Sequence, residues 1–341
     1  MSERYALVCE KSGSNYQIYF DGQRKKAKLR GSVFHNSHSK GSLPCVGDWV
    51  AINQHNDFIV IEGIEERRSL VSRRMPGEVT EQQAIAANVD FVVIVLSLDR
   101  SRHYSDRLLE RLLTVAWSSG ATPLIVLNKA DLNSDVMLIK RQLETIALDV
   151  DIIICSVQEN IGVDRIFGYL SNGKVGVFIG PSGVGKSTLT NALLKQDVQK
   201  TNTGRKNDGR GRHTTSGCYL FELGNGGFII DSAGLKEVQA WATAEDIDAV
   251  FEDISNVSGH CRYRDCKHQG EPGCAVQAEL EEGNITPERY DNYLNLMEEH
   301  GSLMQQYAAR NGHVARKMGR KITKIRKAAA DGKRQRKEAW Y

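Results

Sequence analysis

The chain has 341 residues, of which 26% are charged and 40% are hydrophobic, and its formal net charge is +3 at pH 7. This ordinary globular composition and this length indicate two or three domains. The longest apolar run, Phe91–Leu98, is too short to span a bilayer, and the N-terminus lacks the cationic flank and apolar core of a secretory signal, so we expect a cytoplasmic protein without a membrane partner.

Short strands separated by turns are predicted in the first 68 residues. Residues 16–20 alternate between polar and apolar side chains before the turn Asp21–Gly22, and residues 46–52 and 58–61 have the composition of further strands. Basic residues lie between these segments: Arg24, Lys25, Lys26, Lys28 and Arg30. The pattern favours a small all-β barrel with a cationic surface, and the OB-fold is one such barrel. The polar residues 67–83 that come next are interpreted as a linker.

Continuous apolar runs replace this alternation after the linker. They cover residues 91–96, 123–127, 151–154, 175–179 and 227–230. Strands that are buried on both faces have this composition, as in a parallel sheet covered by helices. Helical segments separate several of the runs, at about 104–119, 134–147, 163–170 and 187–195. The alternation of strands and helices predicts a doubly wound α/β domain.

A candidate guanine-recognition motif, Asn128-Lys129-Ala130-Asp131, directly follows the second apolar run. The carboxylate of Asp131 can accept hydrogen bonds from guanine N1–H and N2–H, and adenine offers no such pair of donors. A site of this kind rejects the analogue that lacks the donors by roughly 10⁴-fold. We expect Asn128 to reach O6 and N7 and the Lys129 stem to cover the base. The segment that contains Ser156, after the next run, offers a backbone N–H to guanine O6.

A phosphate-binding loop is predicted between the fourth apolar run and the helix after it. Its glycines let backbone N–H groups turn towards phosphate oxygens, and the helix N-terminus adds the positive end of its dipole. Lys186 is expected to bridge the β- and γ-phosphates, and the Ser187 hydroxyl to ligate Mg²⁺. The nucleotide-binding residues of this loop are Gly180, Pro181, Ser182, Gly183, Val184, Gly185, Lys186, Ser187 and Thr188.

The sequence Asp231-Ser-Ala-Gly234 ends the last apolar run. Asp231 is expected to hold Mg²⁺ and the Gly234 N–H to contact the γ-phosphate. In the polar loop upstream, Thr214 or Thr215 is expected to complete the Mg²⁺ shell, the alternative being ordinary polarity at a strand edge. Many GTPases carry a glutamine after the last glycine, but here the residue is Leu235, which cannot orient water.

The order of the motifs along the chain is unusual, because the guanine motif precedes the phosphate loop. The loops at the carboxyl ends of parallel strands gather in space whatever their order, so a circular permutation preserves the site. The new cut falls just after Gly234, and we expect residues 235–250 to transmit the state of the γ-phosphate to the C-terminal region. His213 is the local candidate for the missing water-orienting group, the alternative being a surface histidine.

Three thiols and one imidazole lie within fourteen residues of the C-terminal region: Cys261, Cys266, His268 and Cys274. This Cys₃His set predicts one closed structural zinc site without catalysis at the metal, the alternative being incidental free thiols. Residues 287–309 are expected to form one long helix. Residues 311–341 carry eleven Lys or Arg and two acidic residues, so a charge of +9 leaves −6 on the rest. Such a tail suggests a polyanionic partner such as nucleic acid, or a merely solvated tail.

Together these motifs resemble one family, the circularly permuted bacterial ribosome small-subunit-dependent GTPase A. The resemblance covers nearly the whole chain, including residues 83–90 at the entry to the α/β domain. It implies an N-terminal OB-fold over residues 1–68, a permuted P-loop GTPase domain over 69–240, and a mostly helical zinc domain with a basic tail over 241–341.

The resemblance also implies partners and roles. GTP would be hydrolysed to GDP with Mg²⁺, under stimulation by the 30S ribosomal subunit, during late maturation of that subunit, with contacts to 16S rRNA and release on hydrolysis. His213 would orient water, and Thr215 would act as the switch threonine and Mg²⁺ ligand beside the catalytic Lys186. We expect a monomer. A scaffold that only senses GDP and GTP, or a GTPase of the large subunit, are the alternatives.

Overall fold

Five short strands at the N-terminus close into a small barrel. In the computed structural model, which describes residues 4–31, 43–55, 58–75, 78–99, 105–195, 218–232 and 243–311, they pair in the ring order β1-β2-β3-β5-β4 and back to β1. The strands are β1 (Arg4–Ser12), β2 (Asn15–Phe20), β3 (Gln23–Leu29), β4 (Trp49–His55) and β5 (Phe58–Ile64). Alternate residues such as Val8, Ile18 and Ile61 fill the interior. The predicted OB-type barrel is therefore confirmed, and four of the five basic residues interpreted as an inter-strand segment, Arg24, Lys25, Lys26 and Lys28, lie in β3.

An antiparallel hairpin follows the barrel, so the interpretation of residues 67–83 as a linker was wrong. Its strands are β6 (Leu70–Met75) and β7 (Glu78–Ala87), with Leu70 opposite Ala87 and Val71 opposite Ala86. Val71 and Ala86 are fully buried and anchor the hairpin in the core. The polar residues between the apolar ends of the two strands have the composition of a linker. Composition alone does not reveal that two segments pair as strands.

The central sheet has the order β10-β9-β8-β11-β13-β12, and the predicted α/β architecture is confirmed. The strands are β8 (Phe91–Ser97), β9 (Thr122–Asn128), β10 (Asp151–Ile154), β11 (Val175–Ile179), β12 (Cys218–Glu222) and β13 (Phe228–Ser232). All pair in parallel except β12, which runs antiparallel to β13. The helices between them are α1 (Asp106–Ser118), α2 (Val136–Ile146), α3 (Val163–Tyr169) and α4 (Lys186–Leu194). The sequence did not predict β12, which is only partly buried.

The barrel joins the central sheet edge to edge. Strand β1 pairs antiparallel with β12 through Glu10 opposite Tyr219 and Lys11 opposite Cys218. The two sheets therefore form one continuous sheet of eleven strands. Backbone hydrogen bonding across this edge covers two strand edges that would otherwise be exposed.

The C-terminal region is mostly helical over the described residues 243–311, apart from the turns and irregular segment between residues 259 and 274 and a short turn before residue 287. It contains α5 (Ala244–Val250), α6 (Glu252–Ser258), α7 (Ala275–Glu281) and the long α8 (Pro287–Asn311), which was predicted over 287–309. Helix α8 lies against α1, where the Arg289 guanidinium contacts the buried Glu110 carboxylate at 2.8 Å. Within the described residues, no helix is both long and apolar enough to span a bilayer.

Candidate nucleotide site and metal centre

The predicted phosphate loop connects the end of β11 to the start of α4. Gly180, Gly183 and Gly185 have positive φ values of 136°, 83° and 101°, a region that favours glycine. A Cβ atom on Gly180 would lie 2.3 Å from the backbone oxygen of Val95 in β8. The glycine therefore allows the loop to leave β11 hard against its neighbouring strand, with the N-terminus of α4 directed at the loop.

The Lys186 side chain crosses the phosphate loop. Its Nζ donates hydrogen bonds to the backbone oxygens of Gly180 at 2.6 Å and Pro181 at 2.7 Å. Ser187 is half-buried in the first turn of α4, and Thr188 is exposed beside it. The loop thus combines one cation with a hydroxyl, which are the groups that phosphate and Mg²⁺ require.

Asn128, the last residue of β9, ties the guanine motif to the phosphate loop. Its Nδ2 donates a hydrogen bond of 2.9 Å to the backbone oxygen of Val184, although the two residues are 56 positions apart. Its Oδ1 is buried and accepts no hydrogen bond from the part of the chain that the structure describes. A buried oxygen without a donor costs about 1–3 kcal/mol, and such atoms are characteristic of sites that a ligand completes.

Asp131 is oriented by the side chain of Ser156, which lies in the loop after β10. The hydroxyl of Ser156 donates a hydrogen bond of 2.5 Å to Asp131 Oδ1 and itself accepts one of 3.2 Å from the Glu159 N–H. The Ser156 N–H donates to the backbone oxygen of Ile161 at 2.9 Å. Ser156 therefore contributes its hydroxyl group, which orients Asp131. The sequence had suggested a different contribution, a backbone N–H from the segment that contains Ser156.

Lys129 adopts a left-handed backbone conformation, with φ of 61°, and its Nζ lies 3.5 Å from Asp99 Oδ2. Asp99 lies two residues beyond the end of β8. Its neighbour Leu98 donates its N–H to the backbone oxygen of Asn128 at 2.9 Å. The backbone oxygen of Leu98 accepts a hydrogen bond of 3.1 Å from Asn133 Nδ2. Sequence reasoning missed Asp99, although its position just after a buried strand was a usable signal.

Asp231 lies at the same edge of the sheet as the phosphate loop, because β13 pairs directly with β11. It is half-buried and stands opposite Tyr219 of β12. Burial, and then the charge of Asp231, raises the pKa of the nearby Cys218 to about 12. The predicted residues His213, Thr214, Thr215 and Gly234, and Leu235, lie outside the described residues.

The Cys/His set forms a compact cluster. The donor atoms of Cys261, Cys266, His268 and Cys274 all lie within 4.8 Å of one another. His268 Nδ1 is 3.5 Å from the sulfur atoms of both Cys261 and Cys274, and these two sulfur atoms are 3.9 Å apart. Tetrahedral zinc with ordinary Zn–S and Zn–N bonds would require S···N distances of about 3.6 Å and S···S distances of about 3.8 Å. The donors therefore fit one tetrahedral metal ion.

The protein holds the imidazole of this cluster in place. His268 is 7% exposed with φ of 64°, and its backbone oxygen accepts hydrogen bonds from the Tyr290 hydroxyl of α8 and from Gln277 Nε2. Burial lowers the pKa of His268, which favours the neutral ring that a metal binds. Cys274 precedes α7 and is buried. Residues of α7 and α8 thus hold the backbone of His268 in place.

The family model that matches this chain and two of its most similar relatives all carry the same description, that of RsgA GTPases. Residues 64–241 match the family model described as RsgA GTPase. Small ribosomal subunit biogenesis GTPase RsgA 2 of Lactiplantibacillus plantarum is 39% identical over 287 residues, or 83% of this chain and 80% of that protein. Small ribosomal subunit biogenesis GTPase RsgA 1 of Oceanobacillus iheyensis is 38% identical over 302 residues, or 88% of this chain and 86% of that protein.

Solved structures of the same architecture exist. YjeQ from Thermotoga maritima aligns with a TM-score of 0.64 and 26% identity, over 87% of this chain and 98% of that one. YloQ, described as a circularly permuted GTPase, aligns with a TM-score of 0.60 over 88% of this chain and 96% of that one. At 23% identity, the second comparison shows a shared fold.

Proposed function

The chain belongs to the RsgA GTPase family, and from this premise we propose that it acts in the biogenesis of the small ribosomal subunit. Members of this family are GTP hydrolases, so the chain is a GTPase. The observation that carries the proposal is the Asn128–Val184 hydrogen bond, because it joins a guanine-reading motif to a phosphate loop within one site.

We assign the base-recognition roles to the guanine motif. Asp131 pairs with guanine N1–H and N2–H, and the Ser156 hydroxyl holds its carboxylate in place. Lys129 covers the base, while Asn128 keeps the phosphate loop in register with the motif. Residues 180–188 cradle the phosphates through backbone N–H groups and the Lys186 ammonium.

Mg²⁺ fits the oxygen donors at this edge of the sheet, since it prefers hydroxyl and carboxylate oxygen. Ser187 and Asp231 would hold it, together with Thr215, and bound Mg²⁺ would neutralise charge on the phosphates during hydrolysis. Gly234 would contact the γ-phosphate, and His213 would orient the attacking water. With leucine at position 235, the free protein hydrolyses GTP slowly and depends on a partner for stimulation.

The partner in this proposal is the 30S subunit with its 16S rRNA. The barrel carries four cations along β3 (Arg24, Lys25, Lys26 and Lys28), and the basic residues 311–341 add a second cationic segment. Both suit phosphate contacts, which makes the interaction salt-dependent. Subunit binding stimulates hydrolysis late in maturation, and hydrolysis releases a monomeric protein.

One zinc ion stabilises the C-terminal region in this proposal, which also divides the chain at residues 68 and 240. The distances among the Cys₃His donors support zinc, and a closed site leaves no position for a substrate. The metal would keep residues 260–274 folded against α7 and α8.

The test measures phosphate release from GTP, with and without purified 30S particles, in single turnover. Stimulation by 30S, lost in Lys186→Ala and in Asp131→Asn but kept in the surface control Lys140→Ala, is the expected result. Lys140 forms an ion pair with the exposed Glu144 one turn along α2, on the surface of the domain. Asp131→Asn should lose guanine preference specifically, by roughly 10⁴-fold. Guanosine binding without phosphate release, even with 30S, would instead indicate a non-enzymatic scaffold.

A further inference from the structure

A pocket of about 400 Å³ opens where the barrel meets the hairpin β6–β7, on the outside of the barrel. We call it the aromatic–acidic pocket. Its lining residues are Tyr5, Trp49, Glu65, Glu66, Arg68 and Asn88. None of these residues belongs to the nucleotide site or the metal cluster.

Two aromatic rings form one wall of the pocket. Tyr5 and Trp49 lie on the neighbouring strands β1 and β4 and are 40% and 48% exposed. The register places Tyr5 opposite Ala51 and Trp49 opposite Leu7, so the two rings are diagonal neighbours on the outer face of the barrel. Rings of this size exposed together in a concave surface are typical of a binding site.

Two carboxylates complete the pocket. The Glu65 N–H donates to the Trp49 backbone oxygen at 2.9 Å, which places Glu65 directly beside the indole-bearing strand. Glu65 and Glu66 are exposed, and among the described residues neither has an ion-pair partner. The Arg68 guanidinium lies 3.7 Å from Asp90 Oδ1, which is also paired with Lys174 Nζ at 3.0 Å. With two carboxylates and one guanidinium, the pocket lining keeps a net charge of −1.

The rest of the barrel has the opposite charge. Strand β3 carries Arg24, Lys25, Lys26 and Lys28. RNA phosphates are attracted to β3, whereas the two glutamates repel them from the aromatic–acidic pocket. The barrel thus separates a surface for polyanions from a pocket for a cation.

The pocket floor is preorganised. Asn88 is 7% exposed, its Nδ2 donates to the Gly47 oxygen at 2.8 Å, and its Oδ1 accepts from the Arg68 N–H at 2.9 Å. A fixed floor lowers the entropic cost of binding.

We propose that the aromatic–acidic pocket binds an arginine side chain of a basic segment in a partner protein. The planar guanidinium would stack on Trp49 and pair with Glu65 or Glu66. Arginine fits better than lysine because its flat, weakly hydrated fork both stacks on rings and forms two parallel hydrogen bonds to a carboxylate. This binding is separate from GTP hydrolysis and from the phosphate contacts of β3.

The experiment titrates the full chain with a fluorescein-labelled nonapeptide that contains three arginines, and with the same peptide carrying lysines, followed by anisotropy. Tighter binding of the arginine peptide is expected. Trp49→Ala and Glu65→Gln/Glu66→Gln should each weaken it by about fivefold, consistent with a partly exposed cation–π contact. Phe58→Ala, at an aromatic residue of β5 that is 55% exposed and outside the pocket, is the matched control and should leave binding unchanged.

Five results would overturn the proposal. Equal weakening by Phe58→Ala, or no weakening by Trp49→Ala, would show that the peptide binds elsewhere. Loss of oligouridine binding in Trp49→Ala would assign the ring to stacked bases. Tighter peptide binding in Arg334→Gln/Arg336→Gln would show that the basic tail of the chain itself occupies the pocket, and self-association that Trp49→Ala abolishes would assign it to a second copy.

Discussion

Arg289 connects the C-terminal helices to the GTPase domain, and its substitution gives the sharpest prediction for stability. The guanidinium lies 2.8 Å from Glu110 on α1 and contacts both carboxylate oxygens of Asp253 at 2.6 and 2.7 Å. It also stacks over the Phe251 ring at 4.8 Å. Glu110 is 1% exposed, so its charge depends on this partner.

In Arg289→Met the apolar stem is kept and the charge is lost, which leaves Glu110 buried without its cation. Breaking a buried ion pair in this way costs about 3–5 kcal/mol. Asn292 Nδ2 still donates to Glu110 at 2.9 Å, and Asp253 is partly exposed. We therefore expect the free energy of unfolding to fall by about 3 kcal/mol at pH 8, the lower end of this range.

The loss of stability in Arg289→Met depends on pH, and the direction of this dependence follows from the protonation of Glu110. Burial raises the pKa of Glu110 from 4.5 to about 7, although Arg289 lowers it. A carboxyl whose folded-state pKa exceeds its unfolded-state value favours stability below about pH 4.5, and this contribution is lost as the pH rises through about 7. Without the guanidinium the pKa rises further. Arg289→Met should therefore lose less stability at pH 5.5 than at pH 8.

The assay is urea unfolding at both pH values, with hydrogen exchange of α8 to localise the effect. Arg111→Met is the matched control on the same two helices, because Arg111 forms a more exposed pair with Glu299 at 2.8 Å and should cost below ~1 kcal/mol. Adding Glu110→Gln to Arg289→Met should restore most of the stability. An equal loss at both pH values, or a control effect of the same size, would refute this reasoning.

Three other predictions concern the two sites. Gly180→Ala places a Cβ 2.3 Å from a backbone oxygen of β8 and should abolish GDP binding by calorimetry, whereas Gly224→Ala, with open space around it, should not. Asp99→Asn should raise GDP dissociation about threefold in stopped flow, with no further effect in a Lys129→Met background, and additive effects would contradict the contact. Cys266→Ser should lower bound zinc below one ion per chain by atomic absorption and lower the helical circular dichroism signal.

Much of the fold was predictable because parallel strands that are buried on both faces consist of continuous runs of apolar residues. The strands at 151–154 and 175–179 have the predicted bounds. Segments with weaker burial escaped prediction: the hairpin β6–β7 has apolar residues only near its ends, and β12 is partly exposed. Their strand state depends on pairing with distant partners, which local composition does not encode.

In the candidate site, too, some features could be predicted from the sequence and others could not. The sequence by itself determined the kinds of donor, because phosphate loops, guanine motifs and Cys/His sets rely on residue types at short spacing. Only the tertiary structure decided that Asn128 bonds Val184 and that Ser156 orients Asp131. It also brought Arg289 to Glu110, 179 residues away. These contacts arise from sheet order and helix packing, where the balance of burial and hydrogen bonding over the whole chain selects which distant segments meet.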